Sequence, residues 1–398
     1  MNPNLKFFLI AMTMVAVVSD SMLIPFYPQF FSAAFGVTDP QYVGFYIGAC
    51  CFTVMLAFPF WAFVARKAPT LKLLVYTQFT AGVLSILCYW SVSLWEFWLV
   101  SLLMLVFKGS YLLIYPLVMS LEAKERHGGT IGLLSVIVHF GAIFGAVLGG
   151  LVLQLFEPRQ VFLVMALGDF IQMLVCFFLI GRDKPHAQAP PPEQAQAQDQ
   201  ARGILTRGFV YKLGLIMLIF YFSAFLIRPF FSQYWQSISA FDSEIISGLV
   251  FAIPAVVALL ALWLNSRTST RGSAYDGIAS AILLGICGLF LQASQQEIVV
   301  LIGRCLFGWS LFQSTVRLDL LLFELSTPKS YATDFSKIHF FQSLGVLMSS
   351  FTAGSLVAAY SLQVPFIAAA LGFVLTALLY GHLFKTEIKS ARAILQAP

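Results

Sequence analysis

Residues 182–208 read RDKPHAQAPPPEQAQAQDQARGILTRG, the one long hydrophilic stretch in an otherwise apolar chain. Gln, Ala and Pro in this proportion supply too few large apolar side chains to bury a core, so the segment is expected to be a disordered linker. Six apolar stretches precede it and six follow it. The predicted organisation is therefore a first half over 1–181, a linker over 182–208 and a second half over 209–398.

The composition says what surrounds those halves. The 398 residues are 59% hydrophobic and 10% charged, with a mean hydropathy of +0.86. A soluble domain carries about a quarter charged residues, so a water-facing surface cannot be built from this chain. The apolar stretches run to roughly 20 residues or more, the length that crosses about 30 Å of hydrocarbon as a helix. Lipid offers backbone groups no hydrogen bonds, so only helices or closed barrels span it, and continuous apolar runs select helices. Spans are placed at 6–34, 41–65, 73–92, 97–121, 130–155, 160–181, 211–240, 244–264, 273–293, 298–325, 333–360 and 365–385. No cleavable leader is expected, because Met1 to Lys6 runs straight into the first span. The six cysteines (Cys50, Cys51, Cys88, Cys176, Cys287 and Cys305) all fall inside spans and show no metal-ligand spacing.

Orientation follows from the basic residues. Of the 23 Lys and Arg, 17 lie in segments on one side of the spans and Arg159 alone on the other. Positive residues stay on the cytoplasmic side, so both termini are expected there. The net charge of +5 is therefore a membrane-topology signal, and no nucleic-acid partner is expected.

The halves resemble one another. Pro25-Phe26-Tyr27-Pro28-Gln29-Phe30-Phe31 matches Pro229-Phe230-Phe231-Ser232-Gln233-Tyr234-Trp235 at an offset of 204. At the same offset Gly141, Gly145, Gly149 and Gly150 align with Gly345, Ser349, Ala353 and Gly354. Two similar halves in parallel are what a transporter built from repeats looks like.

These residues carry a family resemblance over essentially the whole chain. The run Gly141 to Gly150 is similar to the fifth-span antiporter motif of the major facilitator superfamily, with Ala146 where that motif usually has proline. Its glycines allow close helix approach and a bend. Pro25 and Pro28 resemble the paired prolines of drug/proton antiporters in that superfamily. The resemblance implies an all-α membrane protein of the major facilitator fold, with twelve transmembrane helices in two pseudo-symmetric halves of six. It implies a bacterial inner-membrane location, secondary active transport by alternating access, and no enzymatic activity, metal or cofactor. More narrowly, Asp20 to Phe31 and the span around Lys108 and Gly109 are similar to bacterial exporters of carboxylate siderophores of the vibrioferrin type.

The chain also departs from the family pattern. The segment Trp61 to Thr70 keeps the basic pair Arg66-Lys67 of the family's loop motif but lacks its glycine and aspartate. Leu105 stands where a proton-linked arginine would precede Gly109 by four, and Arg304 with Gly308 shows that spacing instead.

Ionisable residues inside spans cost about 2.5–3.5 kcal/mol each on insertion scales, so they usually face the protein interior and carry function. Asp20, midway along the first span, is the leading proton-coupling carboxylate, with Asp169 and Asp319 as further candidates. Lys108, Arg228, Arg304 and Arg317 lie on spans four, seven and ten, which line the central cavity of the family fold. Set against Asp20 and Asp319, these four bases give that cavity a net charge of +2. A positive cavity suits an anion, which arginine can grip with two parallel hydrogen bonds. Arg228, with no acid nearby in sequence, is the foremost substrate base. Arg317 can pair with Asp319 or Glu324, and Lys337 is expected to pair with Asp334, three residues earlier. Tyr111, Tyr115, Tyr234 and Trp309 fall on the same spans and suit a bulky, partly apolar solute. Gly141, Gly145, Gly149, Gly150, Pro25 and Pro28 are the expected gating positions.

The resulting expectation is a monomeric, proton-coupled exporter of a small carboxylate-bearing molecule such as a siderophore. The alternatives are a multidrug/proton antiporter for lipophilic compounds, and an importer of a siderophore or other organic anion. A non-transporting receptor is disfavoured by the lack of a sizeable soluble domain. No Walker loop, metal cluster or catalytic triad is present to support an ATP-driven pump or an intramembrane enzyme.

Overall fold

The computed structural model describes residues 3–65, 67–114, 117–118, 127–180, 207–241, 243–267, 277–326, 331–386 and 388. The expected linker up to residue 206, Tyr115 and the basic pair's Arg66 lie outside the described residues. Among those described there are fourteen α-helices and no strand. They are α1 (Pro3–Ser21), α2 (Tyr27–Phe35), α3 (Pro40–Ala65), α4 (Thr70–Trp90), α5 (Leu94–Lys108), α6 (His127–Leu155) and α7 (Val161–Ile180). The second set is α8 (Arg207–Leu226), α9 (Phe231–Ile238), α10 (Glu244–Arg267), α11 (Ile278–Gln292), α12 (Glu297–Leu325), α13 (Tyr331–Ala359) and α14 (Val364–Leu383). Ten segments are long and apolar enough to cross a membrane, and Phe7–Ser21 and Ile278–Gln292 are shorter apolar helices. Large apolar side chains such as Trp95, Phe177 and Phe178 are exposed on the outside of the bundle, as contact with lipid requires.

The expected first and seventh spans are not single helices. The first breaks between Ser21 and Tyr27 into α1 and α2, and the seventh between Leu226 and Phe231 into α8 and α9. Proline explains the break, since Pro25, Pro28 and Pro229 cannot donate to the helical ladder and their rings clash with the preceding turn. The resuming helices are entered in the same way. Phe26 has φ −122° and ψ 10°, and Phe230, 204 positions later, has φ −111° and ψ 6°. The fourth span also departs from a plain helix. It opens on a capping box between Ser93 and Glu96 and tightens to a 3₁₀ turn over Gly109–Leu113.

The helices before residue 181 pack mainly on each other, as do those after 206. Among the described residues, α3 with α13 and α6 with α10 are the extensive contacts between the two sets. Both are made at glycine, and their atoms correspond across the repeat. A Cβ on Gly44 would stand 2.8 Å from Ser350 O, and a Cβ on Gly248 would stand 2.5 Å from Ala146 O. Likewise a Cβ on Gly354 would stand 2.5 Å from Pro40 O, and one on Gly150 would stand 2.5 Å from Glu244 O. Residue numbers in the second member of each relation differ from the first by 204, with the halves exchanged. The sequence repeat is thus written into the contacts between the sets.

The other glycines of the fifth-span motif serve α1. A Cβ on Gly141 would meet Val17 at 2.8 Å, and one on Gly145 would meet Val18 O at 2.6 Å. A Cβ on Gly149 would overlap the Met22 carbonyl, where α1 unwinds. Three glycines spaced by four place one bare stripe along α6, and α1 lies in it. Gly149→Leu forces these backbones apart, and overpacking of this kind costs about 1–3 kcal/mol. The expected result is a melting temperature in detergent several degrees below wild type, and an unchanged one would contradict the close approach.

Candidate functional site

α1, α5 and α7 bring three charged side chains together. Lys108, the last residue of α5, is buried with its Nζ 3.4 Å from Asp20 Oδ1 and 3.4 Å from Asp169 Oδ1. It also donates to Ser19 Oγ at 2.9 Å. Asp169 accepts from Ser85 Oγ at 3.1 Å, and Tyr111, from the 3₁₀ turn, lies near Asp20. The approach of α7 to α1 is made at Gly168, where a Cβ would sit 3.5 Å from Ser19.

Accessibility separates the two carboxylates. The Asp169 side chain is 0% exposed and that of Asp20 is 29% exposed. Asp20 and Lys108 open onto a cavity of about 160 Å³ whose wall continues through Leu23, Tyr27, Tyr46, Val54, Met104, Leu105, Phe162 and Met165. Apart from Asp20 and Lys108, its walls are thus aromatic, thioether and aliphatic. Tyr46 is fixed there by its hydrogen bond to Ser101 Oγ, 2.9 Å, and its ring lies edge-on to Tyr27 at 5.6 Å.

The family model of the Major Facilitator Superfamily matches residues 9–318. The chain belongs to the major facilitator superfamily. It is 24% identical over 371 residues to the multidrug resistance protein MdtG of Salmonella choleraesuis strain SC-B67, with 90% of each chain covered. Among solved structures it resembles a bacterial homologue of the human lysosomal transporter Spinster in an inward-facing, occupied conformation. That match has a TM-score of 0.75, 13% identity and 97% of each chain covered. It also resembles the nucleoside transporter NupG, with a TM-score of 0.72, 14% identity, and 97% of this chain and 100% of that one covered. The chain is therefore a multi-pass inner-membrane transporter of this superfamily rather than an enzyme.

Within the superfamily fold, the other site residues expected from sequence fall in several places. Lys108 is not a free base awaiting an anion, because two carboxylates flank it. Arg304, also expected to hold substrate, is buried and already engaged. It donates to Phe251 O at 2.5 Å, Val250 O at 3.4 Å and Gln292 Oε1 at 3.4 Å, and lies 3.9 Å over the Phe231 ring. It ties α12 to α9, α10 and α11, a bracing role. Tyr234 is likewise buried, donating to Ser294 O at 2.5 Å with its ring 4.8 Å from Phe366. Arg317 sets its guanidinium against Gly277, in the space that a Cβ there would occupy. Trp309 packs with Ala258, Ala261 and Phe312. Asp334 accepts from Ser326 Oγ at 2.6 Å, whereas Lys337 is exposed and is not ion-paired to it.

Two of the expected bases are thus committed and a third acid joins the set, so the net +2 does not describe the molecule. Arg228 keeps its distinction. It is half-buried, its guanidinium lies 3.8 Å over the Phe225 ring, and no described carboxylate reaches it within 4.0 Å. Sequence reasoning treated Asp20, Asp169 and Lys108 separately and did not foresee Ser19 and Ser85. The available signal was that two acids and one base in the spans of one half favour mutual neutralisation in lipid.

Proposed function

We propose that this chain is a proton-coupled exporter of lipophilic small molecules of the drug-efflux type, working by alternating access between two halves joined through residues 182–208. The observation that carries the proton half of the reading is the triad of Asp20, Lys108 and Asp169. With both carboxylates ionised the triad holds a charge of −1 in a low-dielectric interior. One proton brings it to zero, so it is a site for one proton shared by a coupled pair. Asp20, the accessible member, is where that proton enters and leaves. Support for a lipophilic substrate comes from the aromatic and thioether walls of the adjoining cavity and from the named drug-resistance relative. Tested in cells, deletion of the gene raises accumulation of lipophilic dyes such as ethidium or rhodamine 6G, and unchanged accumulation would contradict the reading.

Arg228 favours a second reading, an organic anion such as a carboxylate siderophore as cargo. A base with no acidic partner among the described residues, lying on an aromatic ring, is suited to a carboxylate. Retention of a carboxylate siderophore in the deleted strain, with normal handling of dyes, is the result that selects this reading over the first.

Twelve spans with both termini in the cytoplasm complete the proposal, since the basic residues fall almost wholly on one side. The glycine contacts at Gly44, Gly150, Gly248 and Gly354 then lie toward the outer side. Reporter fusions at residue 195 and at the C-terminus are expected to report cytoplasm, and fusions near Asp39 and Arg159 the exterior. A periplasmic signal at residue 195 would remove the two-half arrangement.

A further inference from the structure

Ser85 is wholly buried on α4, and its hydroxyl faces two acceptors at once. Asp169 Oδ2 lies 3.1 Å from Ser85 Oγ, and Met104 Sδ lies 3.1 Å from the same atom. Other hydroxyls in the spans, such as those of Thr77 and Ser223, donate back to a carbonyl one turn earlier. Among the described residues Ser85 is bonded instead to side chains of α7 and α5. A serine hydroxyl carries one proton, so it can serve only one of these acceptors at a time. Met104 belongs to the cavity wall. The choice is therefore between the buried acid of the triad and a surface that a substrate would touch.

Which acceptor wins depends on the charge of Asp169. An ionised carboxylate is a strong acceptor and a thioether a weak one, so with Asp169 ionised the hydroxyl proton points to Oδ2. The other oxygen, Oδ1, faces Lys108 Nζ at 3.4 Å, which makes Oδ2 the oxygen to carry a proton. Once protonated there, the carboxyl O–H becomes the donor and Ser85 Oγ the acceptor. The hydroxyl proton then turns to Met104 Sδ, the remaining acceptor in reach. One proton is added at Oδ2, one hydroxyl rotates, Lys108 keeps its charge, and the triad passes from −1 to zero. The charged groups facing Asp169 are Lys108 on α5 and, beyond it, Asp20 on α1. Among the described residues, Cys88, one turn past Ser85 on α4, lies near Lys108, and Tyr111 near Asp20.

We propose that Ser85 is a positioning residue that transmits protonation of Asp169 to the cavity wall through Met104. This rests on the proton-coupled reading above and deepens it by naming a link between proton and substrate. Methionine is unbranched, with three rotatable bonds, so its thioether can settle against whatever occupies the cavity. A hydrogen bond from Ser85 draws the sulfur toward α4 and withdraws that adaptability while the proton is on board. Proton and substrate are thereby set against each other, as exchange requires. The competing reading is that Ser85 only satisfies a buried acid, and that Met104 feels the triad solely through its electric field.

Methionine-methyl NMR of the purified full chain in lipid nanodiscs separates these. The Met104 signal is assigned by its absence from the Met104→Leu spectrum. In the wild type its methyl resonance is expected to move along a single titration curve as the pH is lowered, and in Ser85→Ala that movement is expected to be lost. A resonance that does not titrate in the wild type overturns the proposal. So does one that titrates by the same amount in Ser85→Ala, since a field acts without a hydroxyl. Ser85→Cys, similar in volume but only a weak donor, takes the place of Ser85→Ala should that variant fail to fold. The coupling itself is read by calorimetric titration of ethidium at acidic and at alkaline pH. The ratio of the acidic to the alkaline Kd is expected to fall by about two- to tenfold from wild type in Ser85→Ala and Met104→Leu alike, the worth of one neutral hydrogen bond. An unchanged ratio in either variant overturns the proposal. Absence of ethidium binding to the wild type would contradict drug export instead, and the methyl titration, which uses no substrate, would still decide this inference.

Discussion

Lys108→Met is expected to be the most destabilising single substitution in the first half of the chain. The side chain is buried against two carboxylates and a hydroxyl, and methionine replaces its unbranched stem while removing its charge. Asp169, wholly buried, would be left facing Asp20 with no cation between them. Breaking a buried pair by removing one partner costs about 3–5 kcal/mol, because an uncompensated charge remains in the interior. Thermal melts in detergent should therefore show a large loss for Lys108→Met and partial recovery when Asp169→Asn is added. The recovery distinguishes charge from packing, since the second substitution removes an acid and fills no space. A Lys108→Met protein that melts with the wild type would mean that the triad is not formed in the membrane.

Asp20→Asn is expected to have the largest effect on activity. It leaves Lys108 paired with Asp169 alone, a neutral arrangement that no longer needs a proton. Transport driven by a pH gradient should fall by more than tenfold, while substrate exchange without a gradient continues. Asp169→Asn neutralises the triad in the same way and should also uncouple, since its amide can keep the hydrogen bond with Ser85. Lipophilic dye fluxes in reconstituted vesicles, with and without an imposed gradient, measure both. If Asp20→Asn keeps gradient-driven transport, the proton is carried elsewhere and the triad is structural.

Much of the fold was legible because its causes are local. Apolar runs of membrane length, a hydrophilic interruption at 182–208 and a repeat at an offset of 204 are properties of contiguous sequence. The glycine stripe in α6 was legible for the same reason. What it packs against was not, because α1 arrives from more than a hundred residues away. The breaks in the first and seventh spans had a visible sign in Pro25, Pro28 and Pro229, but hydropathy counts apolar residues and passes over an unwound turn. The site was less legible than the fold. A base in a span reads as substrate-binding until its neighbours are known, and those of Lys108 come from α1 and α7. Arg304 misled for another reason. Its partners are backbone carbonyls of α10, an amide and an aromatic ring, none of which forms a charge pattern in the sequence.

The most direct measurement of the central claim is proton movement on substrate addition. Everted membrane vesicles carrying the wild type are energised to an acidic interior, the pH gradient is followed with acridine orange, and ethidium is added. Proton-coupled export predicts that the gradient partly collapses on addition, because each substrate molecule entering the vesicle is exchanged for protons leaving it. Vesicles carrying Asp20→Asn at the same expression level should hold their gradient. Ethidium accumulation by wild-type vesicles without any change in the gradient would contradict the account.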